Sequence, residues 1–148
     1  MTLTDTEARF LTAQPRVYLA TVGPDGVPQV KPVGFTYNAS LGTVDITGMD
    51  MGSSAKYRNV QRNPKVALAV DEVSGTGIAG VRMLEIRGVA ETARREPEPG
   101  GQLAAEIIRV HPRRVLTFNL RPGQPGFEAR DVPAQDVESR GDGAGDVS

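Results

Sequence analysis

Apolar and β-branched residues come in short runs separated by turn chemistry along most of this chain. Arg16-Val17-Tyr18-Leu19-Ala20-Thr21-Val22 is apolar on both faces and reads as a buried strand. Gly23-Pro24-Asp25-Gly26 follows, with Pro preset for a turn and Gly free to take positive φ. Val27 to Tyr37 then returns as the second arm of a hairpin. After a turn at Asn38–Gly42, Thr43-Val44-Asp45-Ile46-Thr47 alternates as a third strand. Val66–Val70 is a fourth, with Ala at its outward positions, so both faces are expected to be covered. Beyond a Gly-rich loop at Ser74–Gly80, Val81–Glu91 alternates around Leu84 and Ile86, with Gly88 marking a bulge. Arg114–Leu120 is the sixth strand. Helical spacing occurs in three places. Thr4–Gln14 carries a capping-box pair, Thr4 and Glu7, and an apolar anchor, Phe10 and Leu11. A short helix starts at Ser53 or Ser54 and must stop before Pro64. Gln102–His111 places Leu103, Ile107 and Val110 on one helical face. Six short strands in a mostly antiparallel order, with helices inserted singly, predict a mainly-β fold. The expected form is an antiparallel barrel with peripheral helices, whose closure removes exposed sheet edges.

Length and charge narrow the picture. The 148 residues suit one domain, expected over 1–136. Residues 137–148 read as a disordered acidic tail, with nothing to bury against the entropy of ordering. Residues 1–120 carry a net +2 and residues 121–148 a net −3, so no nucleic-acid partner is expected. No apolar run approaches the roughly 18–20 residues of a membrane span, so no membrane partner is expected. The start of the chain lacks the pattern of a secretory signal. Cysteine is absent, which excludes disulfides and thiolate metal sites and fits a cytoplasmic location.

Candidate chemistry is sparse. The only histidine, His111, reads as the C-terminal residue of a helix, where it favours the helix dipole. Neither a histidine-based triad nor a metal cage is expected, and no acidic cluster has metal-ligand spacing. No P-loop is present, and Gly75-Thr76-Gly77 does not open a helix after a strand. The informative stretch is 47–64. Gly48 and Gly52 precede a helix start, Ser53 and Ser54 offer hydroxyls, and Lys56, Arg58 and Arg62 follow. A helix N-terminus with such donors could hold a phosphate, and an ordinary solvated basic helix has the same local pattern.

The ordered set of segments resembles the pyridoxamine 5′-phosphate oxidase-like family of flavin and deazaflavin oxidoreductases. Its pieces are Leu19–Pro28, Val30-Lys31-Pro32-Val33, Ile46-Thr47-Gly48, Lys56–Leu68, Leu84–Glu91 and His111–Val115, within about Ala8–Pro133. The resemblance implies a six-stranded antiparallel split β-barrel, the FMN-binding split barrel, acting as a homodimer with its cofactor groove at the interface. It places the flavin or deazaflavin ring along Val30, Lys31, Pro32 and Val33. It places the phosphate at Thr47, Gly48, Ser53, Ser54 and Lys56, with Asn59 as a further contact and residues near His111–Asn119 supplied by the partner chain. Ala55 stands before Lys56 where FMN oxidases of pyridoxine metabolism carry an arginine, and the second strand lacks their usual arginine. The branch using coenzyme F420 is therefore the closer likeness, with FMN as the alternative, and Arg58, Arg62 and Lys65 could form an exit path for its acidic tail. The implied activity is hydride transfer between the reduced deazaflavin and an unsaturated small organic substrate. A non-catalytic flavin or F420 carrier is the other reading, since no residue stands out as catalytic. Tyr18, Tyr37 and Tyr57 qualify by chemistry alone.

Overall fold

The computed structural model describes residues 2–134, so the expected tail from 137 lies outside the described residues. The first helix, α1 (Asp5–Thr12), begins as its sequence dictates. The Thr4 hydroxyl accepts the Glu7 backbone N–H at 3.1 Å, and the Glu7 carboxylate accepts the Thr4 N–H at 2.9 Å. Then come β1 (Val17–Val22), β2 (Pro28–Asn38) and β3 (Thr43–Thr47). A 3₁₀ turn at Met51–Ser53 leads into α2 (Ala55–Arg62). The chain finishes with β4 (Lys65–Val73), β5 (Val81–Arg94), β6 (Glu106–Phe118) and β7 (Phe127–Asp131).

Strand order is β3-β2-β1-β4-β5-β6, and β3 pairs back onto β6 to close a six-stranded antiparallel barrel. β7 is an additional strand on the second half of β6, which the sequence pattern did not predict. Leu19, Leu68, Leu84, Ile86, Ile108 and Val110 point inward and are at most 2% exposed. The helices pack at opposite ends. Gln14, two residues past the end of α1, donates to Glu72 near the end of β4 at 3.1 Å. α2 meets the end of β1 through Asn59 and Thr21, and β1 runs antiparallel to β4.

Three expectations change. Residues 106–111 are strand, not helix. The helical spacing of Leu103, Ile107 and Val110 was coincidental. The β-branched run Ile107-Ile108-Arg109-Val110 instead pairs with β5 on one side, and its 108–110 segment pairs with β3 on the other. Leu103 stays 41% exposed in the loop before it. His111 is consequently not a helix cap but a mid-strand residue, its Nε2 2.6 Å from the Glu91 carboxylate. Finally, no other part of the described chain covers the outer faces of β1 and β4. Tyr18 is 55% exposed and Ala67 and Ala69 are half-buried. The bulge at Gly88 is present. Arg87 pairs with Arg114 and Gly88 with Pro112, leaving Arg113 as the extra residue. A Cβ on Gly88 would collide with the His111 carbonyl.

Candidate functional site

β2 is longer than either neighbour can cover. Its first half, Pro28 to Val33, pairs only with β1, and its second half, from Gly34, pairs with β3. One backbone edge from Pro28 to Val33 is therefore open. Pro28, Val30 and Pro32 share one parity of the ladder and Gln29, Lys31 and Val33 the other. Proline has no N–H to give, so its parity is the one whose backbone groups face away from β1. The open edge thus offers a single donor, the Val30 N–H, framed by carbonyl groups. The two prolines also blunt the edge against pairing with another strand. Val33, 6% exposed, anchors the segment in the core, while Val30 is 62% exposed.

α2 is set beside this strand by three features. Met51 is buried at 1% exposure and fixes the incoming turn. Ser54 is the N-cap, its hydroxyl accepting the Tyr57 N–H at 3.3 Å and donating to the Met51 carbonyl at 2.7 Å. Asn59, 1% exposed, donates to the Thr21 hydroxyl at 3.0 Å and to the Gln29 side chain at 2.9 Å, and accepts from Arg62 at 2.8 Å. That bond set ties α2 to both arms of the β1–β2 hairpin. Gln29 in turn lies over Gly23, where a side chain would displace it.

With α2 so placed, Lys56 in its first turn comes within electrostatic reach of Lys31 on β2. Burial, and then repulsion from Lys31, hold the Lys56 ammonium below the ordinary lysine range. None of the chain's three lysines joins an ion pair among the described residues, whereas the arginines pair freely with carboxylates. Two like charges near one another without a counter-charge are an arrangement that could hold an anion. Thr47 adds to it, being 8% exposed with a hydroxyl that has no partner among the described residues. Gly34 opposite leaves that hydroxyl room, since a Cβ there would stand 3.2 Å from it.

The remaining predicted site residues are engaged internally. Gly48 gives its carbonyl to the Ala104 N–H at 2.9 Å. The Ser53 hydroxyl donates to the Asp50 carbonyl, and the Ser53 carbonyl accepts from Arg58 at 2.7 Å. Arg58 and Arg62 are thereby drawn back onto the helix, and Lys65 is exposed at the start of β4. Sequence reasoning missed Thr21 and Gln29, whose bonds to Asn59 carry no local signature. The parity of Pro28 and Pro32, by contrast, was there to be read. A flavin-type cofactor fits this donor set. The lysine pair and the Thr47 hydroxyl suit its phosphate, and the carbonyl-framed Val30 N–H suits the alternating polar edge of its ring.

An open-sided β-barrel with a cationic pair beside its unpaired strand defines a class of cofactor-binding proteins, and the sequence places the chain within it. The pattern of the pyridoxamine 5′-phosphate oxidase family matches residues 3–139, and the chain belongs to that family. Among curated proteins it is 42% identical, over 140 residues, to the 5a,11a-dehydrotetracycline/5a,11a-dehydrooxytetracycline reductase of Streptomyces rimosus, covering 92% of this chain and 97% of the relative. Among solved structures it is similar to an F420 reductase, with 28% identity, a TM-score of 0.52, and coverage of 69% of this chain and 90% of that one. It also shares its fold with the conserved hypothetical protein Rv2991 of Mycobacterium tuberculosis, with 20% identity, a TM-score of 0.65, and coverage of 90% and 94%.

Proposed function

We propose that this chain is an F420-dependent oxidoreductase that reduces an unsaturated small organic molecule and works as a homodimer in the cytoplasm. The observation that carries the reading is the Lys31–Lys56 pair without a counter-ion, beside the open edge of β2. Lys56, Lys31 and Thr47 would hold the cofactor phosphate, and the backbone from Val30 to Val33 would lie along its ring. The bound cofactor supplies hydride at its ring. The protein fixes the ring's position, excludes water from the groove and places the acceptor over the ring face. The reductase relative acts, by its name, on dehydrotetracyclines, which motivates a conjugated polycyclic ketone as the acceptor class.

The dimer reading rests on the outer sheet face. Tyr18, Ala20 and Val22 of β1, Val30 of β2, and Ala67 and Ala69 of β4 form one apolar surface continuous with the open strand. Exposed apolar surface of this kind marks an association site, and a second copy would close the groove over the cofactor. Among the described residues no helix is long and apolar enough to cross a membrane.

Fluorescence titration of the apo protein with F420 and with FMN tests the cofactor. Saturable F420 binding with weak FMN binding supports the proposal, and the reverse selects an FMN enzyme of the same fold. Oxidation of bound reduced F420 by added enones tests catalysis. Its absence across a panel would make the chain a carrier.

A further inference from the structure

We infer that the acceptor is a flat organic anion, held in a cavity on the outer face of β1, β4 and β5. Its role as acceptor rests on the oxidoreductase reading above, and its binding rests on the cavity alone. The cavity measures about 440 Å³ and includes neither Lys31 nor Lys56. It reaches the open half of β2 at Pro28, which pairs with Val22. Ala20, on its floor, pairs with Val30, whose N–H is the donor of the open edge.

The hollow exists because two methyl side chains lie side by side. Ala20 of β1 is opposite Ala67 of β4, while Val22, Pro28 and Val89 stand around them. A shallow apolar floor of this kind suits a flat hydrocarbon body. Ala20, Val22 and Ala67 also belong to the face proposed for the second copy, which would roof the cavity.

The charges on the wall decide the ligand class. Lys65, Arg87 and Arg113 line the cavity, and no carboxylate does. Acidic side chains at neighbouring outward positions are already engaged. Glu85 accepts from Arg87 at 2.8 Å, and Asp131 accepts from Arg114 at 2.6 Å. Lys65 has no ion pair among the described residues. Arg113 has none either, and its guanidinium donates only to the adjacent Pro112 carbonyl, at 3.1 Å. Most of its five donors are therefore unspent. Arg113 owes its place to the bulge at Gly88, where it is the extra residue of β6, and bulges re-aim side chains in this way. An acid group on a flat apolar body matches the arrangement, with its charge on Arg113 and Lys65 and its body on the two alanines.

The enone acid 4-carboxychalcone is the probe, with its methyl ester as the neutral counterpart. Both are measured by equilibrium dialysis against the full chain without F420, so binding is read apart from reduction. Saturable binding of the acid is expected, with the ester about tenfold weaker, the difference between a charge-assisted and a neutral contact. Arg113→Gln should weaken the acid about tenfold and the ester little, and Arg113→Lys should restore most of the difference. Lys65→Gln should act in the same direction, and Lys56→Ala should leave the acid's affinity unchanged. Melting temperatures verify folding, and Lys65→Gln, at an exposed position, decides the matter if the Arg113 variants unfold. With reduced F420, the acid should show a lower KM than the ester. Equal affinity for acid and ester overturns the inference. So does absence of binding up to millimolar concentration, retention in both glutamine variants, or loss through Lys56→Ala. Binding that dissociates the dimer also overturns it, because the second copy is then the occupant. F420 affinity is read in a separate titration. A chain that binds the acid but not F420 loses the oxidoreductase reading and the acceptor role while keeping the cavity site, and one that binds F420 but not the acid loses the cavity site alone.

Discussion

At the scale of single residues, Lys56 is the most informative position because two effects act on it in the same direction. Burial and the neighbouring Lys31 both disfavour its charged form. Its folded value lies below the ordinary one, so it discharges earlier as pH rises. Anion affinity should therefore be complete at neutral pH and decline below the range in which a free lysine titrates. Lys31→Ala removes the second cause and should shift the onset of that decline upward, while lowering affinity at neutral pH. F420 titrations at stepped pH would read both effects. Lys56→Ala should cost about 1–3 kcal/mol of cofactor affinity, the range for a charge-assisted hydrogen bond to a partly buried anion. Asn59 acts differently. Its side chain bonds Thr21, Gln29 and Arg62, so it positions α2. Asn59→Leu would leave the Thr21 hydroxyl and the Arg62 guanidinium without their shared partner. It should lower the melting temperature and weaken cofactor binding together, whereas Lys56→Ala should weaken binding alone.

At the scale of elements, β6 organises the molecule. It pairs with β5 along its whole length, with β3 near its start and with β7 near its end. The β3–β6 seam is secured by a largely buried ion pair. Arg109 grips both Asp45 oxygens, at 3.1 and 3.2 Å, and Thr43 and Asn38 complete the carboxylate's shell. The Asp45 carboxylate raises the Arg109 pKa through this hydrogen bond. Asp45→Ala strands that guanidinium, and a loss of about 3 kcal/mol in chemical unfolding is expected from the cost of breaking a buried pair. Where β5 meets the bulge, Gly88→Ala must move the His111 backbone aside. It should cost about 1–3 kcal/mol, as overpacking does, with the same measurement as its check.

At the scale of the whole molecule, closing the barrel through β3–β6 leaves half of β2 without a partner, and the candidate site follows from that deficit. The same strand carries the exposed Val30 on the apolar outer face. Val30→Lys puts a charge in the middle of that face without touching the core. It should convert the proposed dimer to a monomer in light scattering and weaken F420 binding, because the groove would lose the second wall a partner supplies. A monomeric wild-type chain would remove the reason for that apolar face.

Much was legible locally because much is locally determined. The capping box of α1, the first hairpin, the end of α2 ahead of Pro64 and the bulge at Gly88 all follow from chemistry within a few residues. The basic helix start at Lys56 was equally visible, although the sequence alone left it level with an ordinary solvated helix. Four features were decided only in three dimensions. Ile107–His111 became strand because β3 and β5 offered ladder partners on both sides, and pairing across the sheet outweighs a helical spacing of three residues. β7 formed because β6 runs on past β3 and leaves an edge to fill. Lys31 met Lys56 through contacts 25 residues apart in the chain, set by Asn59 and the barrel's curvature. No part of the described chain covers the outer faces of β1 and β4, because alternation records which side of a strand is apolar, but not what lies against it.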